Sequence, residues 1–214
     1  MSIERAKKIK VILFDVDGVL TDGGIWLFPA PAGSEQSVAE HAEQFASSGG
    51  YSIVSKTMIE AKGFHAHDGT SISLAKLGGL KCGIITKRIS ETVAIRARDL
   101  KLDYVYQGQA NKVQAFQEIM KAAGVGAEEV AFVGDDVIDL PVMRRCGLAI
   151  AVLNARQQVK DMAHWITPHA GGSGAGRDAV EYILSAKGIL DEVIEAYIEE
   201  RKLAPAGVGR SLVD

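Results

Sequence analysis

Asp15 and Asp17 share one short segment, Asp15-Val16-Asp17-Gly18, directly after the apolar run Val11-Ile12-Leu13-Phe14. A second acidic segment, Gly134-Asp135-Asp136-x-x-Asp139, follows the apolar run Val130-Ala131-Phe132-Val133 in the same way. If the two runs are strands of one sheet, their ends gather several carboxylates, which repel one another unless a cation lies among them. An all-oxygen set of this kind suits Mg²⁺. Thr86 ends a third apolar run, Cys82-Gly83-Ile84-Ile85, and Lys112 opens a helical stretch after Tyr104-Val105-Tyr106. A helix dipole disfavours a cation in its first turn, so Lys112 needs another reason to be there, which an anion such as phosphate supplies. Taken singly, a capping threonine and a solvated lysine would account for these two residues equally well.

The elements that must carry these residues are legible in outline. The runs at 11–14, 82–85, 104–106, 130–133 and 148–152 are short and largely apolar, the pattern of strands covered on both faces in a parallel sheet. Between them, Ser90 to Leu100 opens with Ser-Glu capping chemistry. Asn111 to Ala123 sets Val113, Phe116, Ile119 and Met120 on one helical face before Gly124 stops it. Further helices are expected at 155–163, 178–187 and 190–202, with a short strand at 165–167. The alternation predicts an α/β fold: an open parallel sheet, helices on both faces, and ligands at the carboxyl ends of the strands. Residues 23–66 break the rhythm. Ile25 to Phe28 and Ser52 to Ser55 read as strands around a weakly helical Ser34 to Ala46, so a hairpin insertion is expected over 29–63. The chain is read as one domain over 1–214, with a flexible tail at 203–214.

Composition removes several classes of function. Hydrophobic residues at 47% and charged residues at 24% belong to a globular chain, not a disordered one. A formal net charge of −3 offers no basic field for nucleic acid. No run reaches the ~18 apolar residues of a membrane span, and the N-terminal apolar run is broken at Asp15 and Asp17 with no cleavage site after it. A cytoplasmic protein without a membrane partner is expected. The two cysteines, Cys82 and Cys146, cannot build a disulfide framework and read as buried thiols.

Asp-x-Asp, then Thr, then Lys, then Gly-Asp-Asp-x-x-Asp, in this order and each at a strand end, resemble the four motifs of the haloacid dehalogenase superfamily of phosphohydrolases. More narrowly, FDVDGVLTDGGIWL, FHAHDG, IITKRIS, LDYVYQGQANKVQAF, EVAFVGDDVIDLPVMRRCGLAIAV and GGSGAGRDAVEYIL are similar to the 3-deoxy-D-manno-octulosonate 8-phosphate phosphatases, from about Val11 to Leu184. The resemblance implies a Rossmann-like sheet with a minimal cap, here enlarged by the hairpin insertion. It implies a Mg²⁺-dependent phosphatase acting on a keto-acid sugar phosphate in lipopolysaccharide synthesis.

By the same resemblance Asp15 is the nucleophile, forming an aspartyl-phosphate, and Asp17 the general acid and base. Thr86 and Lys112 complete the catalytic set. Asp15, Asp135 and the backbone carbonyl of Asp17 hold the metal, with Asp136 and Asp139 in an outer shell or orienting Lys112. Arg88 would meet an anionic group of the substrate, beside Lys87, which stands where many relatives have glycine. Asp68 and Gly69 lie in a segment, His67 to Ser71, that resembles one making sugar contacts. Arg177 closes a stretch, Gly172 to Arg177, similar to a mobile segment that folds over substrate. Relatives form tetramers in which one subunit's hairpin helps close its neighbour's site, so a homotetramer is expected. The alternatives are a phosphatase for a nonulosonate 9-phosphate and a non-catalytic sugar-binding or assembly module. A phosphorelay receiver has the wrong order of motifs, since its acidic pair precedes its phospho-acceptor.

Overall fold

The computed structural model describes residues 2–31 and 58–200. In chain order come α1 (Ser2–Ala6), β1 (Val11–Phe14), β2 (Trp26–Pro29), β3 (Met58–Ala61), α2 (Ala66–Leu77) and β4 (Lys81–Ile85). They are followed by α3 (Glu91–Asp99), β5 (Tyr104–Tyr106), α4 (Lys112–Ala123), β6 (Val130–Gly134) and α5 (Leu140–Met143). The last elements are β7 (Leu148–Ala151), α6 (Gln157–Met162), β8 (Trp165–Ile166), α7 (Ala175–Ala186) and α8 (Leu190–Ile198).

All four residues of β1 are buried, so both faces of the sheet are covered there. The sheet runs β5-β4-β1-β6-β7-β8, with every pairing parallel. Phe14 lies level with Ile84 of β4 and Val133 of β6. The residues that follow, Asp15, Thr86 and Asp135, therefore leave the sheet at one edge. The chain fills one side of β1 with β4 and β5 before crossing to β6, which makes this edge the place where loops diverge and a ligand can enter.

Local chemistry sets the helices. Ser90 caps α3 by accepting from the Val93 N–H at 3.4 Å, and Asn111 caps α4 by accepting from Val113 at 3.1 Å. Gly124 ends α4 in the left-handed region at φ 68°. The helices form two packed groups, α1, α2, α7 and α8 in one and α4, α5 and α6 in the other.

Several expectations need correction. The α2 helix was not anticipated; its interior carries Gly69, Ser71 and Ser73, which weaken local helix preference, and burial of Ile72, Leu74 and Ala75 against α7 and α8 overrides this. The α7 helix starts at Ala175, three residues before Asp178, with the turn before it closed by Gly174 in the left-handed region. The β2 strand pairs antiparallel with β3, Trp26 with Ala61 and Pro29 with Met58, and β3 was not anticipated. The strand reading of Ser52 to Ser55, the helical reading of Ser34 to Ala46, and the tail at 203–214 lie outside the described residues. No helix among the described residues is long and apolar enough to cross a membrane.

Candidate active site

Asp15 emerges from β1 with its N–H donating to the Val133 carbonyl at 3.0 Å, and its own Oδ1 accepts from the Val16 N–H at 2.7 Å. Its Oδ2 faces Lys112 Nζ at 2.8 Å. Lys112, the first residue of α4, is buried and also donates to Asp139 Oδ1 at 2.7 Å. The cation in the first turn is thus held by two carboxylates. Asp139 Oδ2 accepts from the N–H groups of Asp135 and Asp136 at 3.0 and 3.3 Å, so this fully buried side chain ties the second acidic loop to Lys112.

One carboxylate oxygen from each of Asp15, Asp135 and Asp139 falls within 4.8 Å of the others. Asp135 Oδ1 is buried and accepts no hydrogen bond, a costly arrangement unless something binds there. Burial, opposed by Lys112 and helped by the nearby Asp139 carboxylate, raises Asp15 to about 7. Asp135 rises to about 8, chiefly through burial and then through the carboxylates of Asp15, Asp139 and Asp136. Three carboxylates facing one ammonium leave a deficit of positive charge, and hard oxygen donors fit Mg²⁺. Gly18, at φ 90°, is required here: any side chain would collide with the Asp135 carboxylate. Asp136 is half-buried and spends its carboxylate on the Val137 N–H at 2.7 Å, capping the short turn Val137–Asp139.

Asp17 lies in a second group. Its Oδ1 is ion-paired with the fully buried ammonium of Lys62, and its Oδ2 lies 3.8 Å from Arg88 Nε. Arg88 also donates to Glu60 Oε2 at 3.1 Å, and Lys62 lies 3.6 Å from Glu60 Oε1. Thr86 is buried at the end of β4, where its hydroxyl accepts from the Arg88 N–H at 3.4 Å. Lys87, between them, is half-buried.

Asp68, Gly69 and Arg177 form a third group. The buried Asp68 carboxylate accepts from the Arg177 N–H at 3.0 Å, joining the first turns of α2 and α7. A side chain at Gly69 would strike the Arg96 guanidinium. The Arg177 side chain is ion-paired with Glu181 and lines a cavity of about 320 Å³ with His67, His169 and Asp178. The glycine-rich turn before α7 packs on the loop after Asp15. Gly172 donates to the Val19 carbonyl at 3.0 Å, and a Cβ at Gly171 would overlap the Gly18 carbonyl.

Three residues of this edge were assigned no role from the sequence. Thr21 is buried and braces the loop after Asp15, accepting from the Gly18 and Gly23 N–H groups and donating to the Val16 carbonyl at 3.3 Å. Glu60 and Lys62 come from the hairpin. Their spacing of two places both on one face of an extended segment, the signal that would have found them had the strand been placed at 58–61.

A parallel sheet that sets an Asp-x-Asp loop against a buried lysine and a second acidic loop defines a haloacid dehalogenase-like hydrolase, and residues 74–176 match the model of that family. The 3-deoxy-D-manno-octulosonate 8-phosphate phosphatase of Escherichia coli K12 is 35% identical over 190 residues, covering 89% of this chain and 87% of that one. The chain belongs to this phosphatase family. A haloacid dehalogenase superfamily hydrolase (subfamily III A) from Legionella pneumophila superposes with a TM-score of 0.75 at 34% identity, covering 92% of this chain and 94% of that one. The octulosonate 8-phosphate phosphatase of Moraxella catarrhalis, solved with magnesium, phosphate and the sugar acid, superposes with a TM-score of 0.74 at 31% identity, covering 91% and 97%.

Proposed function

We propose that this protein hydrolyses the phosphate monoester of 3-deoxy-D-manno-octulosonate 8-phosphate, with Mg²⁺ as cofactor. The observation that carries the reading is the buried Lys112 held between Asp15 and Asp139, beside the unpartnered Asp135 oxygen. When bound, Mg²⁺ cancels phosphate charge and polarises a phosphoryl oxygen. Asp15, Asp135 and the Asp17 backbone carbonyl would hold it, with Asp139 and Asp136 bracing the loop behind.

In the first step an Asp15 carboxylate oxygen bonds to phosphorus as the bond to the sugar oxygen breaks, and that oxygen takes its proton from Asp17. In the second, water attacks phosphorus and gives a proton to Asp17, releasing inorganic phosphate and the Asp15 carboxylate. Lys112 and the Thr86 hydroxyl hold the phosphoryl oxygens in line. Arg88, with Lys87 beside it, faces the carboxylate of the sugar acid. Asp68, Gly69 and Arg177 shape the far rim through the joint between α2 and α7.

Three further readings belong with this one. Segment 29–63 is a small cap over the edge, supported by the contacts of Glu60 and Lys62, at its described end, with Arg88 and Asp17. The protein assembles as a tetramer through the hairpin, supported by the exposure of Trp26, Leu27 and Phe28 on β2. A cytoplasmic setting is supported by the free, buried thiols of Cys82 and Cys146.

The test is phosphate release with Mg²⁺ from the octulosonate 8-phosphate, a nonulosonate 9-phosphate and hexose phosphates, with Asp15→Asn as the blank. The octulosonate ester should be preferred. Preference for the nonulosonate overturns the substrate, and activity equal to the blank on every ester overturns catalysis in favour of a binding module.

A further inference from the structure

Lys62, like Glu60, is a member of the Asp17 group to which the family motifs give no role, and its surroundings are unusual. Its ammonium side chain is fully buried, a placement that is costly unless partners compensate. The partners are Asp17 from the catalytic loop and Glu60 from β3, the strand that Lys62 follows. Glu60 is itself anchored twice: its carboxylate to Arg88 at 3.1 Å, and its carbonyl to the Thr92 hydroxyl of α3 at 3.1 Å. The ammonium is therefore fixed from behind and presented to one oxygen of Asp17. The other oxygen of Asp17 faces Arg88 at 3.8 Å.

We propose that Lys62 is a positioning residue for proton transfer: it fixes the orientation of the Asp17 carboxylate, so that seating of the hairpin aims the general acid and base. The inference rests on the reading of Asp17 given above. Asp17 follows β1 by three residues in a loop, and its side chain retains partial exposure. Without a fixed partner such a carboxylate samples several rotamers, only some of which reach the leaving oxygen. Lys62 restricts that choice and takes no part in the transfer. The proton passes from Asp17 to the sugar oxygen and is later replaced from water, while the ammonium keeps all its protons. Anchoring the hairpin alone would not need this contact, since the Glu60–Arg88 pair and the Thr92 hydrogen bond already tie β3 to the body of the protein.

The experiment compares the full chain with Lys62→Met and Lys62→Arg in Mg²⁺, on a sugar phosphate and on p-nitrophenyl phosphate. A hexose 6-phosphate serves as the sugar phosphate should the octulosonate ester not be turned over, so failure of the substrate assignment is read separately, from the wild type alone. Misaiming the general acid should lower kcat for the sugar phosphate by about 10- to 100-fold while KM stays within about threefold. Departure of p-nitrophenolate needs no proton, so its first-turnover burst should stay within about threefold of wild type. Lys62→Arg should recover most of the loss, and the thermal shift caused by Mg²⁺ should be the same in all three proteins. A kcat within about twofold of wild type for Lys62→Met, or equal losses in the sugar phosphate rate and the aryl burst, would overturn the proposal. If Lys62→Met does not fold, Lys62→Gln carries the same comparison with the same two outcomes.

Discussion

Two charge clusters lie side by side at the edge of the sheet, and they are built on opposite plans. Around Asp15, three carboxylates face the single ammonium of Lys112, and one oxygen of Asp135 is buried without a partner. Around Asp17, two carboxylates face two cations, with Glu60 and Asp17 opposite Lys62 and Arg88. The first cluster is incomplete by itself and raises the pKa of Asp15 and Asp135; the second is balanced. An unbalanced buried cluster marks where a cation and a phosphate belong, whereas a balanced one holds a side chain in place.

The comparison is broken most directly at Asp15. Asp15→Asn should lower turnover by on the order of 10⁴-fold or more, because the amide cannot attack phosphorus, and phosphate release in Mg²⁺ measures it. Lys112→Met comes next. It removes the cation between Asp15 and Asp139 and leaves both buried carboxylates uncompensated, so chemical denaturation in EDTA should show a loss of about 3–5 kcal/mol. A loss near zero would mean that the cluster is not held by this lysine.

The third effect depends on pH. In the metal-free protein Asp15 and Asp135 sit at about 7 and 8, well above their ordinary 3.8. The folded chain therefore binds more protons than the unfolded one between these limits, and stability falls as pH rises. The contribution is whole below about pH 4 and gone once pH has passed through about 8. Melting in EDTA should show this decline, and Mg²⁺ at about 100 times its dissociation constant should restore about 2.7 kcal/mol. A melting temperature in EDTA that climbs from pH 6 to pH 9 would contradict the assignment of the acid cluster.

How much of this was legible follows from the physics of each part. Strands β1, β4, β6 and β7 are buried, so the sequence there is a bare apolar run, and the acids begin where the run meets the edge. Asp15, Thr86 and Asp135 could be placed by that alone, and Lys112 by the helical stretch it opens. The hairpin gave no such signal, because β2 is exposed at every position and β3 carries Glu60 at its centre. Its pairing is fixed by contacts distant in sequence, Glu60 with Arg88 and with Thr92. Lys62 was hidden for the same reason. Asp68 and Gly69 stood out as a motif, but the α2 helix around them is stabilised by packing on α7 and α8 and not by its own residues.

The smallest effect on stability, and the sharpest division within the hairpin, concerns its two faces. Residues opposite one another across β2 and β3 share a face, so Trp26, Ala61, Phe28 and Ile59 lie on one side, and Leu27 and Glu60 on the other. Glu60 turns its side toward Arg88, Lys62 and Asp17, which leaves Trp26 and Phe28 directed away from the charges. Both are exposed, at 60% and 49%, on a two-stranded sheet whose edges are open among the described residues. A large apolar face of this kind fits the assembly surface proposed above. Replacing both residues by serine should change the stability of the separate subunit by no more than about 0.5 kcal/mol, since neither packs in the core. If the hairpin carries the tetramer proposed above, the double variant should nevertheless run as smaller species by light scattering. If a neighbour's hairpin closes the site, KM for the sugar phosphate should rise with that dissociation while the burst on an aryl phosphate is retained. A double variant that remains tetrameric would place assembly on another surface and leave the hairpin to its charged face alone.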